Sequence, residues 1–243
     1  MATVFRSYLT ETRFDLRNRV SYRGCFLGNH NVGGSQIDTN FLILCDNWFR
    51  DFNVFSTTYR GITPDWIGHV GFCATNRVSF HNGCRAMDLT AIGFTNGDLF
   101  DMNLNWRDNT SCTNVFYIRT YIAVAALLRR HMKTVLTAWF NTDHHNHIHA
   151  DNGGTLNGIP PILQNTKTDT TLIQAVGRHM MGLGTSIDGI WGNQTQSHYL
   201  EILRRLRLQC TNPKGNTGDA VRLLGLIAAN GMQGGTDAIK HNC

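Results

Sequence analysis

Residues 141–151 read Asn-Thr-Asp-His-His-Asn-His-Ile-His-Ala-Asp and place four histidines, His144, His145, His147 and His149, within six positions. With 11 histidines in 243 residues, composition alone does not produce such crowding. The preceding segment 133–140, KTVLTAWF, is rich in β-branched and aromatic residues and predicts a strand running into the cluster. Alternation along that strand puts His145, His147 and His149 on one face, and a strand end is a rigid mount for ligands. Upstream, residues 117–132, YIRTYIAVAALLRRHM, contain no helix breaker and end in Arg129, Arg130 and His131, which predicts a buried helix with cations at its C-terminus. Short strands beside such helices predict an α+β fold with a small antiparallel sheet.

A second cluster, SFHNGCRAMDL at residues 79–89, holds His81 and Asp88 seven positions apart. Imidazoles on one face of a strand end, joined by a His and a carboxylate from a separate loop, make a site of three protein ligands with an open fourth position. That is the pattern of a catalytic rather than a structural zinc ion. The bland readings are adventitious metal binding or a pH-sensitive surface patch, and for Asp88 an N-cap or turn role. The isolated residues His30, His69, His179, His198 and His241 are assigned no chemistry.

Composition excludes several classes. Hydrophobic residues are 42% and charged residues 16% of the chain, which rules out disordered and coiled-coil proteins. The 22 Lys plus Arg against 17 Asp plus Glu give a net charge of +5, a mild excess that fits anionic polymers without choosing among them. No basic stripe interleaved with aromatics occurs, so nucleic acid is not expected as a partner. The longest purely apolar run, Ile122–Leu128, is far below the roughly 20 residues that cross a bilayer, so no membrane span is expected. Residues 1–20 carry Arg6, Glu11, Arg13, Asp15, Arg17 and Arg19 and no apolar core, so no secretory signal is visible. The seven cysteines (Cys25, Cys45, Cys73, Cys84, Cys112, Cys210 and Cys243) include no CxxC pair, which argues against a cysteine metal site and leaves disulfides open.

Residues 1–60 are expected as strands or a short helix between long loops. The stretch 151–169, DNGGTLNGIPPILQNTKTD, holds the only Pro-Pro and predicts a linker at 153–168 between a domain of residues 1–152 and another of residues 169–243. Beyond it Leu172, Val176, Met180 and Leu183, then Tyr199, Ile202, Leu203 and Leu206, fall at helical spacing around the turn SIDGIWGN, and a third helical pattern covers 219–229. This is a small three-helix module, with Asp188-Gly189 as the tight turn and Thr195 as a cap. Arg204, Arg205 and Arg207 read either as a solvated face or as a contact for anionic polymer.

The two histidine clusters together resemble the zinc motifs of the M15-type peptidoglycan D,D-peptidases and, more closely, of their extensin-like C-terminal relatives. Ser79, His81, Ala86 and Asp88 match the first motif, and His144, His147, His149 and Asp151 the second. Tyr59-Arg60, Gly93-Phe94, Gly97, Trp106, Val135-Leu136 and Asn141 fit intervening landmarks, so the resemblance covers about residues 55–152. One departure stands out: the family carries glycine three positions after the first His, where this chain has Cys84 and places Gly83 one earlier. In the C-terminal segment Leu172, Gln174, Ala175 and Val176, with Asp188, Gly189, Ile190, Trp191, Gly192 and Thr195, resemble a peptidoglycan-binding module.

The resemblance implies that His81, Asp88 and His149 bind Zn2+, that His147 is the general base or transition-state stabiliser, and that His144 supports it or touches substrate. It also implies that Arg60 binds a substrate carboxylate or developing oxyanion, and that Ser79 and Trp191 contact substrate. The implied activity is hydrolysis of an amide bond in the stem peptide or cross-link of peptidoglycan by a monomer, as D,D-carboxypeptidase or endopeptidase. Such an enzyme acts in the periplasm or outside the cell after lysis or injection, as an endolysin or an antibacterial toxin with an immunity protein would; otherwise the chain stays cytoplasmic. The rival readings are a non-catalytic peptidoglycan-binding protein that keeps the fold and a zinc amidohydrolase with a non-wall substrate.

Overall fold

Within the first 60 residues the described part of 1–38 forms the short strands expected, and the helix that follows, Thr39–Arg60, is 22 residues long where at most a short one was expected. Phe41, Leu42, Cys45, Trp48, Phe49 and Phe52 are buried at helical spacing along α1 (Thr39–Arg60). Asp38 caps its start, its side chain accepting from Asn40 N–H at 3.1 Å and Phe41 N–H at 3.0 Å. Gly61, with φ 75°, ends it in the left-handed conformation that glycine adopts without strain. The polar residues between the apolar positions hide how far the 3.6-residue period runs.

A computed structural model describes residues 2–18, 22–23, 26–27, 31–32, 34–74, 79–107, 117–153 and 162–233. Half of the expected linker (154–161), and Cys25, Cys112, Cys243, His30 and His241, lie outside the described residues. The strands are β1 (Thr3–Arg6), β2 (Asp15–Asn18), β3 (Tyr22–Arg23), β4 (Phe26–Leu27), β5 (Asn31–Val32), β6 (Ser35–Asp38), β7 (Pro64–His69), β8 (Ala86–Phe94), β9 (Leu99–Asp101), β10 (Thr134–Leu136) and β11 (Ile148–Asp151). The helices after α1 are α2 (Ile118–His131), α3 (Lys167–Ala175), α4 (Asn193–Arg205) and α5 (Thr217–Gln233). The fold is mixed α and β, with a seven-stranded sheet in the order β10-β11-β8-β7-β2-β5 and β9 paired to β8. Only β2 and β7 run parallel; the other pairs in this sheet, and the separate pairs β1–β6 and β3–β4, are antiparallel.

Helix α2 lies at the centre, with every residue from Tyr121 to Leu128 fully buried. Helices α1 and α5 pack against it, and α5 comes so close at Gly231 that an added Cβ would sit 2.4 Å from the Arg119 carbonyl oxygen. Residues on both sides of the expected linker therefore share one core. Arg129 and Asp169 join the two sides directly: the guanidinium Nε and Nη2 donate to Asp169 Oδ1 and Oδ2 at 2.7 and 3.0 Å, with both residues buried. Among the described residues no helix is long and apolar enough to cross a membrane.

Within the C-terminal helices, buried Gln174 organises the turn before α4. Its Oε1 accepts from Asp188 N–H and Gly189 N–H, and its Nε2 donates to Asp188 Oδ1 and Thr195 Oγ1. Thr195 does not cap α4, whose N-cap is Gly192; its hydroxyl donates to the Ile190 carbonyl instead.

Candidate metal centre

Strand β8 presents its residues in an order that simple alternation does not give. Met87, Leu89, Ile92 and Phe94 enter the main core, whereas Ala91 packs on the opposite face with Trp66. The register against β7 shifts between Gly68, which faces Ala91, and His69, which faces Leu89, so Thr90 is an extra residue, a β-bulge. The bulge absorbs this residue, so Asp88, between core-facing Met87 and Leu89, shares with Ala91 the face opposite the core. Across the β8–β11 pair Asp88 stands opposite His149, and Leu89 opposite Ile148, so His149 shares the face of Asp88.

His81 arrives on a 3-10 turn, Phe80–Gly83, just before β8. Its carbonyl oxygen accepts from both Ala74 N–H and Cys84 N–H at 3.0 Å. Cys84 has φ 56° and ψ 32°, the left-handed conformation that explains why the resemblance expects glycine at this position. Here the conformation is secured by a Cys73–Cys84 disulfide, with a Cα–Cα separation of 4.2 Å, which staples the loop after β7 to the turn carrying His81.

Three donor atoms converge there. Asp88 Oδ1 is 2.9 Å from His149 Nδ1 and 3.2 Å from His81 Nε2, and the two ring nitrogens are 3.3 Å apart. A tetrahedral ion with bonds near 2.0–2.1 Å separates its ligand atoms by about 3.3 Å, so the set has the spacing of three ligands of one such ion. The group could hold a metal ion. His81 and His149 are buried. Burial pushes the Asp88 carboxyl up, but hydrogen bonding to His149 and His81 and the nearby His147 ring outweigh it and hold it well below the usual carboxylate range. For His149, burial pulls the imidazole down, yet Asp151 and Asp88 together raise it to about 9.

The other two histidines of the motif flank this triangle. His147 Nε2 is 3.6 Å from Asp88 Oδ1, farther than the nitrogens of His81 and His149. Its Nδ1 is 2.8 Å from Asn146 Oδ1, which orients the ring with Nε2 facing the site. His144 has its ring 5.0 Å from His147 and 6.0 Å from His149, and its Nδ1 bonds to Asn141 Oδ1. Burial first, then the neighbouring His147 and His149, push its imidazole down to about 4, leaving it neutral at pH 7.

The strand expected to deliver the cluster is short. β10 ends at Leu136, a turn closes with Phe140 N–H donating to the Thr137 carbonyl, and a 3-10 turn (Thr142–His144) precedes β11. Of the three histidines expected on one strand face, only His149 lies in a strand; His145 and His147 precede β11. The His145 ring packs on Trp106 at 4.8 Å and the His145 carbonyl accepts Trp106 Nε1–H at 2.8 Å, which anchors the histidine-bearing turn.

Arg60 is not brought to this centre. It ends α1 beside Pro64, which pairs with Phe94 at the far end of β8, six residues or about 20 Å from Asp88. There it donates to Thr120 Oγ1 at 3.1 Å and lines a recess with Tyr59, Ile62, Asp98 and Tyr117. Ser79 precedes the His81 turn and is exposed; its carbonyl accepts Asn82 N–H. Trp191 belongs to the C-terminal turn, with Lys214 Nζ 3.3 Å over its ring, Tyr199 against it at 5.4 Å, and its Nε1–H donating to Gln196 Oε1. Arg204 and Arg205 both pair with Glu201, and Arg205 also donates to the Met181 carbonyl, so both are engaged within the chain.

Sequence reasoning gave Asp151 no role of its own, yet it contacts His149 Nε2 from behind at 3.1 Å; only its place two residues after His149 pointed to it. No protein-family model, curated protein or solved structure matches this chain.

Proposed function

We propose that this chain is a zinc-dependent peptidoglycan peptidase with a zinc D,D-peptidase-like fold, hydrolysing an amide bond in the stem peptide or cross-link. The observation that carries the catalytic part is the convergence of His81 Nε2, Asp88 Oδ1 and His149 Nδ1, with His147 Nε2 beside them at 3.6 Å from Asp88 Oδ1. Two nitrogens and one carboxylate oxygen suit zinc, and three protein ligands leave a coordination position open. When bound, zinc supplies a Lewis acid that polarises a carbonyl oxygen and acidifies a water.

The remaining chemistry belongs to the side chains. His147 Nε2 takes a proton from the attacking water and returns it to the leaving amine, a task for a base within reach of the centre. His144, neutral because of burial and its imidazole neighbours, stands beside His147 as a donor or acceptor for the reacting amide. Arg60 takes no part, and His144 and His147 replace it as the groups near the developing oxyanion.

The substrate class rests on the resemblance of the two motifs and of the C-terminal helices to peptidoglycan-binding modules. Sacculi incubated with the zinc-loaded protein should release soluble muropeptides whose masses identify the cut bond. Chelator-treated protein and His147→Ala should release none. A second reading follows from the same 3.6 Å distance. A rotation of His147 onto the ion would close the fourth position and leave a wall-binding protein that keeps its metal but hydrolyses nothing; metal content without amine release would favour it.

A further inference from the structure

We infer that Asp151 holds the proton of His149 on Nε2, so that Nδ1 offers its lone pair to the metal site, and so acts as a positioning residue for the centre. The inference rests on the metal reading above and deepens it. His149 directs Nδ1 at Asp88 and His81 and Nε2 at Asp151 Oδ2, 3.1 Å away. Asp151 is 2% exposed and fixed on both sides: its Oδ1 accepts Gly153 N–H at 2.6 Å, and its main-chain oxygen accepts Lys133 N–H at 3.0 Å.

The argument concerns a single proton. A carboxylate only accepts, so either carboxylate beside the ring draws the proton of neutral His149 to its own side. If Asp88 drew it, Nδ1 would be protonated and unable to ligate. Asp151, buried and held in line with Nε2, draws it the other way and leaves the Nδ1 lone pair for the metal. Asp88 Oδ1 is meanwhile shared with His81 at 3.2 Å, which weakens its competing claim.

Two variants separate this role from mere support of the fold. In Asp151→Asn the amide oxygen still caps Gly153 N–H, while the amide NH2 meets His149 Nε2 and forces the proton to Nδ1. In Asp151→Ala the cap is lost but no donor opposes Nε2. Zinc competition against a chelator should therefore show Asp151→Asn weakened by about 100-fold and Asp151→Ala by about 10-fold, the two ends of the range for partners behind a metal ligand. Thermal unfolding should rank them in the opposite order, with Asp151→Asn the more stable. Equal zinc affinities in the two variants, or tighter binding by Asp151→Asn, would overturn the inference.

The 15N spectrum of metal-free protein at pH 10 separates its failure from that of the metal reading. If the wild-type chain takes up no zinc, the metal reading fails. A proton that still moves from Nε2 to Nδ1 of His149 in Asp151→Asn would support the positioning role, and unchanged ring shifts would refute it.

Discussion

Asp88 Oδ1 and His149 Nδ1 meet at 2.9 Å because the two residues are direct partners across the β8–β11 pair. Two of the three candidate ligands thus share one rigid ladder, and the third, His81, is fastened to it by a turn and a disulfide. A ligand triangle built on backbone pairing should tolerate little substitution within it.

Replacing His81, Asp88 or His149 with Ala should each remove most of the zinc from a chain that otherwise carries one ion. Two remaining ligands bind weakly. Metal analysis of the purified variants checks this, and stoichiometric zinc in His149→Ala would remove that residue from the ligand set.

His147→Ala should keep its zinc and lose about a hundredfold or more in kcat, the lower end of what a general base contributes. His145→Ala should spare both metal and kcat. It removes the ring packed on Trp106 and should cost about 0.5–1.5 kcal/mol of stability, read by urea unfolding. Zinc loss from His147→Ala equal to that from His149→Ala would mean that ligand and base have been exchanged.

Zinc binding should strengthen with pH. In the metal-free chain His149 is held at about 9, so below that pH a proton must leave Nδ1 before the metal enters. Apparent affinity should rise about tenfold per pH unit up to roughly pH 9 and then flatten. Metal-free stability has the opposite sign: the folded value lies above the unfolded one, so the contribution of His149 is fully present below about pH 6.5 and is lost as pH rises through 9. Chelator competition and urea unfolding across pH 6–10 measure the two trends.

Arg60→Ala should leave kcat/KM on a soluble stem peptide within about twofold, since Arg60 lies at the other end of β8. A loss of a hundredfold or more would mean that substrate spans the sheet.

Asp169→Ala should destabilise the whole chain by about 3–5 kcal/mol, because it strands buried Arg129 without its carboxylate. Truncation at residue 169 would in addition strip α5 from α2. Circular dichroism should therefore show loss of the α/β core, and a single urea transition in the intact chain would mark cooperative folding of both segments.

The centre was legible in the sequence because metal chemistry restricts residue types: His81, Asp88 and His149 were identifiable from spacing and family likeness, and they converge. Arg60 was misplaced because a landmark in sequence does not say at which end of a strand it will lie. The length of α1 was not legible, and a strand stayed open beside a short helix, because its apolar residues are separated by Asn, Asp, Ser and Thr, and its cap, Asp38, gains meaning only once the helix is known. The extended run 133–140 breaks at Thr137, where the chain turns to set the histidines. Asp151 sat inside the motif, but its partner is one particular ring nitrogen, a distinction that no spacing encodes.

Thr90 works as a spacer in the phase of β8. Joining Leu89 directly to Ala91 would leave plain alternation, with Met87, Leu89, Ile92 and Phe94 facing the core and Asp88 and Ala91 facing away. The bulge therefore lets β8 carry one residue more than its pairing with β7 uses without turning either the apolar side chains or the carboxylate to the wrong side. A homologous strand one residue shorter could still show its aspartate to a metal, so the spacing between the carboxylate and the apolar end of the strand is free to vary by one wherever a bulge takes up the difference.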